Sequence, residues 1–144
     1  MTAPPLCVET DLDLRQTSRN GHLHPEPVPR AAALRWDPTD PWAVTLDFEG
    51  GVSWTIGWEL LVAVVGGEFC AGVADVRIWR GARVFRLVLQ SPDGSAMFEA
   101  DPVDVVCFVE AVQPRHRLVA DRPWIPATVA ELLDAIQHAT EETR

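Results

Sequence analysis

The chain has 144 residues and a formal charge of −9, and all of its twelve basic residues are arginine. A chain of this length is expected to fold as one domain on its own core, without help from disulfides or metal. The negative charge argues against a function in which the chain binds by neutralising nucleic-acid phosphates or by adhering to an anionic membrane surface. Arginine without lysine is typical of codon usage in a GC-rich genome.

Neither a targeting segment nor a disulfide pattern is visible. The first residues lack a charged and then apolar leader, and the apolar run at 60–65 is far shorter than the ~20 residues that span a bilayer. Cys7, Cys70 and Cys107 are odd in number and widely spaced, without a Cys-x-x-Cys pair. This pattern is typical of reduced thiols, and we expect a cytoplasmic protein.

The first thirty residues predict a strand and then a loop. Residues 7–15 alternate apolar with charged side chains, the period of a strand with one wet face. Residues 16–30 contain Ser, Asn, Gly and three prolines, which predicts a loop with a mobile tip. In that loop His22, His24 and Glu26 offer metal ligands, but a mobile loop fixes no complete ligand set. We therefore expect no metal site, and the sequence indicates no cofactor.

Two Asp-Pro turns stand between two tryptophans at residues 34–44, Leu-Arg-Trp-Asp-Pro-Thr-Asp-Pro-Trp-Ala-Val. Each proline restricts the preceding residue to extended conformations, and aspartate side chains bond nearby backbone amides. The segment therefore predicts a rigid bend before a strand. We expect Trp36 and Trp42 to anchor this bend in the core, because most buried aromatics are packing residues. The alternative for Trp42 is a surface hot spot for a partner.

The middle of the chain predicts more strands and one short helix. The strands, found from alternation, lie at 44–48, 52–56, 76–78 and 85–89. Apolar residues crowd without period two at 58–65 and are followed by two glycines, which predicts a short buried helix, although so β-branched a run is also compatible with a strand. Residues 91–94, Ser-Pro-Asp-Gly, predict a tight turn.

A second helix is expected to begin at Pro102 with Asp101 as its cap. The helix is expected to run through Val103, Val106, Cys107 and Glu110. We expect Cys107 to be a small core residue rather than a nucleophile, because no basic residue is near to lower the pKa of its thiol. Residues 113–117 predict a turn after this helix. A basic patch around this turn consists of Arg115, His116, Arg117 and Arg122. We interpret this patch as a solvated loop.

The last segment predicts an amphipathic helix. Residues 128–131, Thr-Val-Ala-Glu, form a capping box, and apolar residues follow at helical spacing up to Ile136. Across the chain we find no Gly-rich phosphate loop, no Ser-His-Asp signature and no converging carboxylates. We therefore expect no catalytic residues and no enzyme.

Four blocks in fixed order carry a family resemblance: the Asp-Pro segment at 34–44, Trp-Thr-Ile-Gly-Trp-Glu-Leu-Leu at 54–61, Ala-Asp-Val-Arg-Ile-Trp at 74–79, and 91–100. Together they resemble the SsgA-like proteins of sporulating actinobacteria, over residues 6–111. The chain departs from the family pattern in three residues, with Trp58 replacing an arginine, Glu59 an aspartate and Ala74 a glycine. Residues 112–144 also diverge, so we interpret 1–144 as one divergent SsgA-like domain.

The resemblance implies an α+β fold of curved antiparallel sheets with two or three helices, a Whirly-like topology, a C-terminal amphipathic helix and a homotrimer. Family members look like non-enzymatic adaptors that position the tubulin-like division protein FtsZ, or act on septal peptidoglycan, during sporulation. The implied partners are copies of itself, FtsZ or other SsgA-like proteins at division septa, without membrane insertion.

Trp58 and Glu59 are the candidate partner contacts, because the chain departs from the family there, while a buried Trp58 is the simpler reading. One alternative function is a nucleic-acid-binding module on the Whirly-like sheet, and a more remote one is an enzyme of unrecognised type. The negative charge and the lack of interleaved lysines and aromatics disfavour nucleic acid as a partner.

Overall fold

The structure is a computed structural model that describes residues 6–68, 70–72 and 75–120. Within these residues, four strands and a helix occur twice in succession. The first set comprises β1 (Val8–Arg19), β2 (His22–Trp36), β3 (Ala43–Phe48), β4 (Ser53–Gly57) and α1 (Trp58–Val65). The second comprises β5 (Cys70–Ala71), β6 (Val76–Arg80), β7 (Phe85–Ser91), β8 (Gly94–Ala100) and α2 (Pro102–Ala120).

All eight strands form one antiparallel sheet in the order β4-β3-β2-β1-β8-β7-β6-β5. Each half is a meander of sequential neighbours, and β1 joins the halves by pairing its last residues with β8. One side of the curled sheet packs against both helices and forms the core. The α+β class with a curled antiparallel sheet and helices is therefore confirmed, whereas the Whirly-like topology and the homotrimer stay predictions.

The expected loop at 16–30 is wrong, because β1 and β2 run through it as one long hairpin that turns at Asn20 and Gly21. The prolines lie where β2 has only β1 as a neighbour, since β3 pairs with residues 32–36 alone. The register shift between Gln16 and Ser18 on β1 leaves the opposing residues 24–27 without a ladder partner. A strand tolerates prolines at such bulges and open edges, because no amide donor is required there.

The bend at residues 37–42 is confirmed. The Asp37 carboxylate accepts hydrogen bonds from the Thr39 amide at 2.9 Å and the Thr39 hydroxyl at 2.8 Å. The Asp40 amide then donates to the Asp37 carbonyl at 3.1 Å, and the Ala43 amide donates to the Asp40 carbonyl at 3.3 Å. These bonds close two successive turns and fix the direction in which β3 begins.

The hairpins, the tight turn at 91–94 and the helix at 58–65 are confirmed. Helix α1 ends at Val65, where the Arg80 guanidinium donates to the carbonyls of Val64 at 3.0 Å and Val65 at 3.2 Å. A helix end leaves its last carbonyls without amides from a following turn, and the Val64 carbonyl here also accepts a hydrogen bond from the Gly67 amide at 3.2 Å. A residue of β6 in the second half therefore closes the helix of the first half.

Helix α2 begins as expected, because the Val103 amide donates to the Asp101 carboxylate at 2.9 Å. It does not end before residue 113 but continues through Pro114 to Ala120. The predicted turn at 113–117 is therefore wrong, and His116 is a buried residue of the helix. Packing of the helix on the sheet stabilises the last turns despite the amide that Pro114 lacks.

The interpretation of Cys107 as a core residue is also wrong, because its side chain is exposed. The buried positions of α2 are Val105, Phe108, Val109, Val112 and His116. Their helical spacing places Cys107 on the opposite face. The expected C-terminal amphipathic helix and Arg122 lie outside the described residues. None of the helices in the described ranges is long and apolar enough to cross a membrane.

Candidate functional site

Three indoles surround one imidazole where the Asp-Pro bend meets both helices, and we call Trp36, Trp42, Trp58 and His116 the aromatic cluster. The ring of His116 lies 4.6 Å from that of Trp42, edge to face, and 5.1 Å from that of Trp58, stacked. The ring centroid of Trp36 is 6.5 Å away, and its ring is tilted. These are distances at which aromatic rings attract one another beyond simple area burial.

Backbone and indole hydrogen bonds hold the aromatic cluster together. The Trp36 indole donates to the Pro41 carbonyl at 3.0 Å, which ties the end of β2 to the far side of the bend. The Trp58 amide donates to the Trp42 carbonyl at 3.0 Å, which ties the bend to the first turn of α1. Helix α2 then supplies His116 from its last turns. The site therefore depends on three elements that are distant in sequence.

The cluster has a buried and an exposed side. Trp36 is fully buried, whereas Trp42 keeps 52% of its surface exposed. The expectation that Trp42 anchors the core is therefore wrong. Trp42 lies in the turn that directly precedes β3. Its indole contacts the imidazole of His116 in an edge-to-face arrangement.

The two candidate contact residues at the start of α1 differ in exposure. Trp58 is only 4% exposed, because it stacks on His116, and Glu59 is exposed. Of the two, Glu59 alone presents its side chain to solvent. A partner-binding role for Trp58 and Glu59 stays a prediction, and on this geometry Trp58 contributes by supporting Trp42 through His116.

The chemistry of the aromatic cluster suits binding. An indole that is half exposed and rigidly supported offers a large contact area at little entropic cost, which is why tryptophan is enriched in binding hot spots. Glu59, which follows Trp58 in α1, adds an exposed carboxylate. The cluster brings together no nucleophile and base from among the described residues. The half-exposed indole makes the cluster suited to recognition of a partner.

A second concave region lies at the far end of the curled sheet, with a cavity of about 420 Å³. Phe48 and Phe98 meet there with ring centroids 5.2 Å apart, and Trp54 lines the same cavity. The Arg30 guanidinium donates to the Gln16 amide oxygen at 3.0 Å within it. Phe48 and Trp54 also pack against the core, so this region borders it.

Among the residues that the structure describes, three titratable groups have shifted pKa values, and each has a local cause. Hydrogen bonds from Thr39 lower the pKa of Asp37. Partial burial, with the nearby carboxylates of Asp101 and Asp13, raises the pKa of Asp104. Desolvation and then the Asp37 carboxylate raise the pKa of the Cys7 thiol. A raised pKa keeps a thiol protonated, so Cys7 is not an activated nucleophile.

Metal ligation was a hypothesis for His22, His24 and Glu26. Across residues 6–68, 70–72 and 75–120, no three His, Cys, Asp or Glu side chains are grouped so that they could hold a metal ion. His22 and Glu26 are exposed on the long hairpin. The three cysteines are free.

His116 and Arg80 are the residues that sequence reasoning missed. From the sequence, His116 is interpreted as part of a solvated patch because its surroundings are acidic overall. The usable signal was spacing, since His116 follows Val105, Val109 and Val112 at helical intervals. No comparable signal pointed to Arg80, because its contact with α1 depends on how the strands fold back.

Comparison with known proteins places the chain clearly. Residues 31–120 match the family described as Streptomyces sporulation and cell division protein, SsgA. The sporulation-specific cell division protein SsgB of Salinispora tropica is 40% identical over 116 residues, which are 73% of this chain and 76% of that protein. SsgB of Frankia casuarinae is 38% identical over 91 residues, 58% of this chain and 62% of that protein.

Two solved structures have similar folds. One, from a study of SsgB mutations that correlate to longitudinal cell division during sporulation of Streptomyces coelicolor, has a TM-score of 0.67 at 27% identity. It covers 81% of this chain and 98% of its own. The other, an SsgA-like sporulation-specific cell division protein from Thermobifida fusca, has a TM-score of 0.60 at 24% identity over 99% of each chain and shows the fold alone.

Proposed function

This chain belongs to the SsgA family of sporulation and cell division proteins, and on that premise we propose that it acts in sporulation-specific cell division as a non-enzymatic adaptor. The match to residues 31–120 carries this proposal. The relatives are named for cell division, which gives the nucleic-acid-binding alternative no support. The aligned part spans less than two thirds of the Frankia relative. The adaptor mechanism is therefore proposed for this chain rather than taken over from that relative.

The adaptor binds through the exposed side of the aromatic cluster. Trp42 presents half of its surface to solvent while its ring contacts His116, and Glu59 is exposed at the start of α1. Hot spots are typically such supported aromatics surrounded by near-neutral contacts. The partners we propose are FtsZ or another SsgA-like protein at cytoplasmic division septa, together with self-association as a homotrimer.

A fluorescent fusion in a sporulating actinomycete tests the proposal. The native chain is expected to form septal foci in aerial hyphae, and deletion is expected to disturb septation. Trp42→Ala is expected to make the fluorescence diffuse at unchanged abundance. The matched control is Val103→Ala, which truncates an exposed apolar side chain on α2 and should keep its foci.

Two results distinguish the role in division from the use of the aromatic cluster as its binding surface. Diffuse fluorescence of the native fusion, with normal septa after deletion, contradicts a role in division. Septal foci that survive Trp42→Ala leave the division role intact and remove the aromatic cluster as its binding surface. Light scattering after size exclusion tests self-association, and a mass near the 15.9 kDa of one chain contradicts the trimer.

A further inference from the structure

The outer face of the second half of the sheet carries charged side chains that form no salt bridge among the described residues. A shallow cavity of about 530 Å³ lies over β6, β7 and β8. Arg77, Val88 and Met97 form one row across the three strands, and Trp79, Arg86 and Glu99 form the next. The apolar side chains of Val88 and Met97 form its floor, and arginines rise around it.

The arginines at this cavity differ in their partners. Arg80 is committed to the carbonyls at the end of α1. Within the described part of the chain, the one salt bridge joins Arg35 to Asp47, and it leaves Arg77 and Arg86 without a carboxylate. Glu99 lies opposite Arg86 in register and still forms no ion pair with it. Two exposed guanidinium groups therefore face solvent beside an apolar floor.

We propose that this face binds an extended acidic segment of another protein. Guanidinium groups pair with carboxylates in a two-pronged geometry, and such charge-assisted hydrogen bonds are stronger than neutral ones. Arg77 and Arg86 are diagonal neighbours on adjacent strands, which places them roughly 7–8 Å apart. Alternate residues of an extended peptide are separated by about 6.6–6.8 Å.

The geometry thus selects two acidic residues separated by one residue. Apolar residues two positions outside this pair lie on the same side of the peptide and reach the floor formed by Val88 and Met97, or Trp79. Nucleic acid fits less well, because this chain has a net charge of −9 and repels a densely charged polyanion more strongly than a peptide with two carboxylates. The proposal is independent of the aromatic cluster.

Fluorescence anisotropy with a labelled peptide, Gly-Leu-Ser-Glu-Ser-Glu-Ser-Leu-Gly, tests the proposal on the full chain. The control peptide has the same composition with adjacent acids, Gly-Leu-Ser-Ser-Glu-Glu-Ser-Leu-Gly. We expect the first peptide to bind more tightly. Arg77→Gln and Arg86→Gln should each weaken its binding by about tenfold, the cost of one lost charged hydrogen-bonding partner.

The matched control variant is Arg83→Gln, which makes the same charge change in the β6–β7 connection but does not line this cavity. It should change the dissociation constant less than about twofold, as expected for a remote exposed charge. An equal loss with Arg83→Gln, equal binding of the two peptides, or no binding overturns the proposal.

Two further arms identify other occupants. A twelve-nucleotide oligo(dT) that binds more tightly than the peptide, and loses binding with Arg77→Gln, makes this a nucleic-acid face and overturns the proposal. Sedimentation of the free protein, without peptide, should be the same for the native chain and for Arg77→Gln with Arg86→Gln. A change in its oligomeric state makes the occupant a second copy and overturns the proposal as well.

Discussion

The two ends of the Asp-Pro bend carry the same side chain in opposite environments. Trp36 enters the bend from β2 and is fully buried, whereas Trp42 leaves it toward β3 with half of its surface exposed. The bend ties them together, since the Trp36 indole donates to the Pro41 carbonyl next to Trp42. A single short motif thus combines a stabilising residue with a residue available for binding, and residue type alone does not distinguish the two roles.

The largest expected effect is at the buried end. Trp36→Ala removes a fully buried indole together with its hydrogen bond to Pro41, and we expect it to lower the free energy of unfolding by about 3–5 kcal/mol. That is a large share of the ~5–15 kcal/mol of a typical domain. Urea denaturation measures it, with Trp42→Ala as the matched truncation at the other end. Equal losses at both ends contradict the contrast drawn above.

The second test introduces a charge on the buried side of the aromatic cluster. Trp58→Arg restores the residue that the family resemblance gives at this position, and from the sequence alone we expect the variant to fold. In this structure Trp58 is buried on His116, so we expect a loss of about 2–3 kcal/mol from poorly solvated charge and lost packing. Glu59→Arg places the same side chain at the exposed neighbour and should stay within about 0.5 kcal/mol. A thermally unchanged Trp58→Arg variant sinks this prediction.

The third test is at the exposed end. Trp42→Ala is expected to cost only about 1 kcal/mol of stability, the contribution of its edge-to-face contact with His116. The melting temperature should therefore fall by a few degrees, while the septal foci of the fusion are lost. A loss of stability as large as that of Trp36→Ala would show that Trp42 is a core anchor and would contradict this prediction.

The smallest expected effect is electrostatic and lies away from the bend. Because partial burial raises the pKa of Asp104, the folded state holds this proton more tightly than the unfolded chain. Ionisation of Asp104 therefore costs stability as the pH rises through the carboxyl range. Asp104→Asn should gain about 0.5 kcal/mol or less at pH 7 and lose this advantage below about pH 3, where both states are protonated.

Glu110→Gln, an exposed change on the same helix, is the control for that pH series. Its free energy of unfolding should show no gain at pH 7 over the native chain that is then lost at low pH. A gain for Asp104→Asn that persists unchanged at low pH contradicts the electrostatic cause and points to altered capping of α2.

Much of the fold was predictable, because alternation and turn chemistry are local. Period two found β1, the β3–β4 hairpin and the β6–β7 pair, and two glycines marked the end of α1. Proline misled the prediction at the bulged half of β2, and the turn predicted at 113–117 is part of α2 despite Pro114. In both places packing or an open strand edge outweighs a local preference.

The aromatic cluster was predictable only in part. The Asp-Pro bend and its tryptophans were recognisable from the sequence, and Trp36 continues the buried alternation of Ala32 and Leu34 in β2. The partial exposure of Trp42 and its contact with His116 were not predictable. Residues from different elements meet there, and a sequence pattern carries no distance between them.

The contact between Arg80 and the end of α1 determines how the chain can be divided. Within residues 6–68, 70–72 and 75–120 each half contains four strands and a helix, so a cut between Gly67 and Cys70 leaves two fragments that look like complete units. They are not, because the first fragment loses the cation that closes its helix and both expose one side of the β1–β8 seam. Such fragments should regain structure only when mixed, which makes this connection a natural split point for a complementation reporter.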